Sequence, residues 1–385
     1  MRKLFEEGTR SHLFGRRPGE GLYWYYGVSG RRGFDEFRAL VNFWISEMPA
    51  DEAERAVAEM QSGSDMQFEA TLLEVMTHAT LLRLGYRVEC HPPLANGRRP
   101  DFLALNSDGR PFFYVETTTI NPPSSDVSAD NREASVQKAI GNANIARDLC
   151  FGYSLERSTI SSPRLNRLVR DVECWAQENT EAARRLESIV KLFEIDGWCI
   201  ELSLHALSVP TELPSRIAAT SGEVRWLSPA ADIRKRAEAK ARAYGDVGLP
   251  LVLVVADRTD SLGIGVRALE TELTEALLGD EVHTEQLDRA GNLRTSLVRR
   301  GGLWFSGGKP TNRNLSAMLV LRDAQLWNLR SSRGHELAAF NPWADIPLQA
   351  AHFPLRHYRA DAYTWRAYEG RVLADVLDLP EPWPP

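Results

Sequence analysis

The sequence predicts an α/β protein in three successive parts: an N-terminal helical extension over residues 1–62, a helix-strand-strand-strand-helix-strand (αβββαβ) core over 63–160, and a mixed α/β C-terminal region over 161–385. Three observations carry this. Phe68, Leu72, Val75, Ala79 and Leu82 recur at spacings of four, three, four and three, the apolar stripe of an amphipathic helix that Gly85 ends. Three short strand-like runs follow, two of them separated by a loop containing Asp108-Gly109, a strong hairpin signal. Helical and strand-like patterns then alternate to the C-terminus. Among them the run 250–256 is apolar and β-branched throughout, as a strand covered on both faces should be.

In chain order, residues 14–26 form a Gly/Arg-rich lead-in flanked by aromatic residues, before helical patterns over 34–48 and 50–60. Gln61-Ser62-Gly63-Ser64-Asp65 is turn-like and introduces the helix that Gly85 closes. Strands are expected at 86–90, 101–105 and 112–118, then a charged-polar helix over 131–146 and a strand over 149–155. Beyond Ser162, helices are expected at 163–178, 181–192, 231–244 and 266–278. Strands are expected at 198–204, 250–256, 302–306 and 315–321, ahead of a Pro/Trp-rich tail that should pack back on the protein. There is no internal repeat.

Composition bounds the function. With 385 residues, 43% of them hydrophobic and 25% charged, the chain has the make-up of a globular protein and not of a disordered or collagen-like one. A net charge of −6 argues against a polybasic nucleic-acid coat while leaving room for a local basic groove. Only six of the 46 basic residues are lysines, so chemistry that needs an ammonium has few places to look. No window of eighteen apolar residues and no apolar leader is visible, so the expectation is a cytoplasmic protein with no membrane partner. Cys90, Cys150, Cys174 and Cys199 form no CxxC pair and read as free thiols. Absence of GxSxG, HExxH and P-loop motifs excludes the serine hydrolase, zincin and nucleotide-triphosphatase readings.

The hairpin concentrates acidic chemistry. If Asp108-Gly109 is a two-residue turn, residues paired across the ladder have numbers summing to 217, and Asp101 stands opposite Glu116. Opposed side chains share a face with Cβ atoms about 4.5–5.5 Å apart, so two carboxylates meet near the open end of the hairpin. A hard divalent cation such as Mg²⁺, which takes one or two carboxylates and keeps several waters, would relieve that repulsion. Thr118 shares the face of Glu116, with Arg99 opposite.

These residues carry a resemblance. The helix with an internal glutamate, Pro100-Asp101 opening one strand and Glu116-Thr117-Thr118 ending the next resemble the PD-(D/E)xK nuclease superfamily, whose restriction-endonuclease-like core runs helix, three strands, helix, strand. The resemblance covers about a quarter of the chain. It implies Asp101 and Glu116 as metal ligands, assisted by Glu74 of the helix or alternatively Glu69, with His78 one turn from Glu74. The implied cofactor is Mg²⁺ or Mn²⁺, and the implied activity is phosphodiester hydrolysis of DNA or RNA, in bacterial defence or nucleic-acid maintenance. Where the superfamily has its lysine, this chain has Thr118, which carries no charge. Lysines of such nucleases can migrate to the following helix. Lys138, with Gln137 beside it, is the candidate in that helix; Lys235 and Lys240 lie further along, in a basic run over 234–245. The alternative is a degenerate member that binds nucleic acid or a protein without cutting. A homodimer stays open, and Trp327 and Trp343 are candidates for stacking on bases.

Overall fold

A computed structural model of the chain describes residues 3–8, 10–16, 20–120, 127–185, 189–207, 216–221, 229–258, 269–287, 293–322, 330, 336–361 and 364–383. Helices α1 (Leu22–Val28), α2 (Phe34–Ser46), α3 (Ala50–Met60) and α4 (Asp65–Arg83) precede strands β1 (Arg87–Cys90), β2 (Phe102–Leu105) and β3 (Pro111–Ile120). Next come α5 (Val127–Gly141), β4 (Leu149–Arg157), α6 (Leu165–Glu178), α7 (Thr180–Arg184), β5 (Ile189–Ile195), β6 (Trp198–Ala206) and β7 (Ile217–Ser221). The chain continues with α8 (Pro229–Tyr244), β8 (Leu251–Asp257), α9 (Leu269–Leu278), β9 (Gly279–Leu287), β10 (Leu293–Gly301), β11 (Phe305–Ser306) and β12 (Lys309–Pro310). It ends with β13 (Ala317–Arg322), β14 (Glu336–Phe340), β15 (His357–Asp361), β16 (Thr364–Tyr368) and α10 (Leu373–Val376).

The chain divides into two compact units, with boundaries that differ from the three successive segments read off the sequence. The first holds Met1–Arg10, Tyr26–Pro122 and Leu227–Pro385; the second holds Ser11–Tyr25 and Pro123–Trp226.

The first unit is built on a mixed eight-stranded sheet ordered β1-β2-β3-β8-β13-β14-β15-β16. β1, β2 and β3 are antiparallel neighbours, while β3, β8 and β13 run parallel. Leu251, Leu253 and Val255 of β8 join Met318 and Val320 of β13 against Ile233 and Ala237 of α8 and Leu273 and Leu277 of α9. On the opposite face Val115, Val254, Leu319 and Leu321 line a small void with Met76, Thr80 and Leu81 of α4. Every residue of β8 is buried because helices cover both its faces, which explains its unbroken apolar pattern.

Helix α4 starts where Ser64 accepts a bond from the Gln67 N–H (3.3 Å) and closes through the Tyr86 N–H on the Leu81 carbonyl (3.1 Å). Phe68, Leu72, Val75 and Ala79 of the four-three stripe are buried and Leu82 is half-buried, but Leu73, Met76, Thr77 and His78 are buried as well. The helix is therefore covered more widely than a surface helix, with α2 and α3 packed against it as well as the sheet.

The hairpin reaches the expected register by a different route. The Gly109 N–H bonds the Asn106 carbonyl, and Gly109 has φ 75°, so the connection is a longer loop with a left-handed glycine. That loop pairs Leu105 with Pro111, whose numbers sum to 216, and a register shift beyond Leu105 then leaves Phe112 as the extra residue. From Ala104–Phe113 to Phe102–Val115 the sum is 217.

The strand expected to complete the core is not in this sheet. β4 belongs to the second unit, in a four-stranded sheet ordered β5-β6-β4-β7, and the neighbour of β3 is β8. The second unit has its own core: Val136 and Ile140 of α5 and Leu168, Val172 and Trp175 of α6 pack on Phe151, Tyr153, Trp198, Ile200 and Leu202. The helix expected over 181–192 is the short α7 followed by β5. Ile195-Asp196-Gly197-Trp198 is a two-residue hairpin, with φ 50° at Asp196 and 84° at Gly197, so this Asp-Gly pair is the one that makes the tight turn. Among the described residues no helix is long and apolar enough to cross a membrane.

Candidate functional site

The acidic end of the hairpin lies in the first unit. The 217 register carries Asp101, just before β2, to the side of Glu116, and the Asp101 N–H donates to Glu116 Oε2 (3.3 Å). Asp101 is held from β3: its Oδ2 accepts from both the N–H and the hydroxyl of Thr117, each at 2.7 Å. Thr117, not singled out in the sequence, is thus the residue that orients the aspartate. Thr118 alternates to the face of Glu116 and is half-buried beside Val255.

Glu116 points into the face covered by α8, where its side chain is only 4% exposed. A buried carboxylate in an apolar layer needs partners, and α8 supplies two, one turn apart. Lys240 Nζ bonds Oε1, and the Tyr244 hydroxyl donates to Oε2 (2.6 Å). Burial, then the Asp101 charge, pushes the Glu116 pKa up, against the pull of Lys240 and Tyr244. Burial likewise raises the pKa of the Tyr244 phenol, as does its bond to Glu116. Lys240 stood in the sequence in a dispersed basic run, named with Lys235 only as a fallback to Lys138. The signal that could have found the pair was the four-residue spacing of Lys240 and Tyr244 on the helix that leads into the most apolar strand.

Glu74 of α4 adds a third carboxylate. Arg55 of α3 holds Glu74 Oε2 at 2.9 Å and also bonds Glu52 (2.8 Å), Glu59 (2.9 Å) and the His91 ring (2.8 Å). Burial opposes the Arg55 charge, but these glutamates outweigh it and hold its pKa up. Burial, then the charge of Asp101, pushes Glu74 up to about 7 despite Arg55. Glu69 is instead within 3.9 Å of Arg258. His78 is buried against Phe102, ring centres 5.9 Å apart, and burial lowers its pKa to about 4, so it is a neutral core imidazole. Arg99 offers its carbonyl to the Tyr244 hydroxyl (3.3 Å). Lys138 is exposed on α5 in the second unit, and Gln137 there bonds Glu133 (3.1 Å). Trp343 packs on Phe305 (5.2 Å), with the Arg313 guanidinium on its carbonyl, so the tail docks as expected; Trp327 lies outside the described residues.

Asp101 Oδ1 has no hydrogen-bond partner among the described residues, and its charge weighs on Glu74 and Glu116 alike. Among the described residues no three His, Cys, Asp or Glu side chains are grouped so as to hold a metal ion, so Glu74 does not complete a three-carboxylate ligand set with Asp101 and Glu116.

Glu74 makes the metal-free protein pH-sensitive. The folded state retains a proton that the unfolded chain releases near pH 4.5, so stability falls as pH rises from about 4.5 to about 7, by on the order of 3 kcal/mol. Melting in EDTA across that range should show the decline, and Glu74→Gln should flatten it. An unchanged slope in the variant would place the sensitivity elsewhere.

Compared with protein-family models, with curated proteins and with solved structures, the chain matches none.

Proposed function

We propose that the protein is a divergent PD-(D/E)xK-type nuclease that hydrolyses phosphodiesters of DNA or RNA with Mg²⁺ or Mn²⁺. The observation that carries this reading is the ion pair between Lys240 and Glu116, which brings a lysine to the acidic pair although residue 118 is a threonine. The element order supports it too. Skipping the second unit, α4, β1, β2, β3, α8 and β8 follow one another as helix, three strands, helix and strand, and Lys240 lies in the helix that follows the third strand.

Asp101 and Glu116 would hold the cation, with Glu74 behind them on Arg55. The cation would polarise the scissile phosphate and lower the pKa of a bound water. The remaining work belongs to the chain. Thr117 aims Asp101, Tyr244 fixes Glu116, and the half-exposed Lys240 ammonium offers positive charge to the phosphate oxygens.

Calorimetry and a cleavage assay test the proposal together. Mg²⁺ or Mn²⁺ should bind the wild type, and Asp101→Asn or Glu116→Gln should weaken binding by about tenfold or more. Plasmid or single-stranded substrates should be cut with the metal and left intact in EDTA. Metal binding untouched by both substitutions, together with no cleavage of any substrate, would leave the binding-module alternative standing.

A further inference from the structure

The lead-in over residues 10–33 has no part in the site above. It contains five arginines (Arg10, Arg16, Arg17, Arg31 and Arg32) and one acid, Glu20, in a chain whose net charge is −6. Within it, the second unit gathers an aromatic cluster. The rings of Phe14, Trp24 and Tyr25 lie around His12 with centroids 6.2, 5.7 and 6.0 Å away, all edge-on. Tyr25 is buried, but Trp24 is 47% exposed, Phe14 45% and Leu13 64%. Rings that serve only a core are covered; these are held in place by their edges while nearly half of each stays open.

Exposed aromatic rings in an arginine-rich, acid-poor segment match a polyanion that also offers flat apolar faces. Unpaired nucleic acid is such a partner, whereas a duplex keeps its base faces stacked internally. We infer that Leu13, Phe14 and Trp24 of the second unit form a stacking surface for unpaired bases of DNA or RNA, with Arg16 two residues along drawing in the phosphates. This deepens the nuclease reading by naming the strand state of its substrate and rests on that reading for its purpose, but its test needs no metal.

The test uses the full chain in EDTA, with a fluorescein-labelled oligothymidylate of about twenty nucleotides and a duplex of the same length, read by anisotropy and tryptophan quenching. The single strand should bind more tightly than the duplex and quench tryptophan emission. Trp24→Ala and Phe14→Ala should each weaken single-strand binding by about tenfold. Trp24→Phe should restore most of it, because a ring is retained. Circular dichroism and melting should stay as in the wild type, since both side chains are nearly half exposed. Ile160→Ala, at a side chain 91% exposed elsewhere in the second unit, should bind the oligonucleotide normally when assayed in parallel. Absence of wild-type binding overturns the inference, as does equal affinity of the alanine variants. It also falls if the same substitutions abolish binding to phosphatidylserine vesicles and leave the oligonucleotide untouched. Cleavage that survives in Trp24→Ala with an unchanged KM would sink the stacking surface alone; stacking without any cleavage would sink the nuclease reading alone.

Discussion

Lys240→Ala should lower metal-dependent cleavage by about a thousandfold, roughly 4 kcal/mol of transition-state stabilisation, while Lys138→Ala stays within about threefold of wild type. The two lysines compete for one role, because the proposed nuclease needs a cation near its acidic pair and Thr118 offers none. Lys240 is in contact with Glu116 Oε1, on a helix whose next turn delivers Tyr244 to Oε2. Single-turnover cleavage of a labelled substrate at saturating Mg²⁺ separates the chemical step from binding. Two controls keep the result interpretable. Removing Lys240 leaves Glu116 buried with one partner fewer, so melting must show that the variant is folded at the assay temperature. Lys240→Arg keeps the charge but cannot give up its proton; partial activity there indicates an electrostatic role, and full loss indicates a proton-transfer role. Wild-type rates in Lys240→Ala, with the loss appearing in Lys138→Ala, would move the catalytic cation to the second unit.

What was legible in the sequence follows the range of the forces involved. The helix α4 and strands β1 to β3 are local objects, written in periodicity and turn chemistry, and they appear where the spacing put them. The Asp101–Glu116 juxtaposition was legible for a partly wrong reason. The tight Asp108-Gly109 turn is really a longer loop, and the extra residue Phe112 restores the register that the loop had shifted. Strand partnership was not legible, because it is decided between residues far apart in the chain. Residues 149–155 read as a strand and form one, yet β4 pairs with β6 and β7. The clue was the run over 250–256, recognised as buried on both faces and therefore central, but not matched to the open side of β3. Once β8 occupies that place, the helix ahead of it becomes the one that faces Glu116, and Lys240 follows. The helix expected over 181–192 failed on a competing period: Ile189, Phe193 and Ile195 alternate toward the core of the second unit.

Arg322→Met should destabilise the protein by about 3–5 kcal/mol, the largest loss expected from a single residue outside the acidic site. Arg322 ends β13 and lies in register with Asp257, which ends β8. Its Nε bonds Asp257 Oδ2 (3.3 Å), and its terminal nitrogen bonds Glu272 of α9. Asp257 is fully buried and Glu272 nearly so, at the edge of the apolar layer between the sheet and α9, where Arg258 is buried as well. One guanidinium therefore serves two carboxylates removed from water, and methionine would leave both without it. Breaking such a group by removing one member is costly because an uncompensated charge stays buried, even where the intact group adds little net stability. That distinction gives the prediction its second arm. Arg322→Met combined with Asp257→Leu and Glu272→Leu should recover most of the loss, since the three charges that this group brings together are then removed as one. Urea unfolding of the wild type, the single variant and the triple variant measures both quantities from the midpoints, provided the slopes agree. A loss under about 1 kcal/mol in the single variant would show that water reaches these carboxylates. A triple variant as unstable as the single one would mean that the ion pairs fix the packing of α9 on β8 and β13, a specificity that apolar side chains of similar size cannot replace.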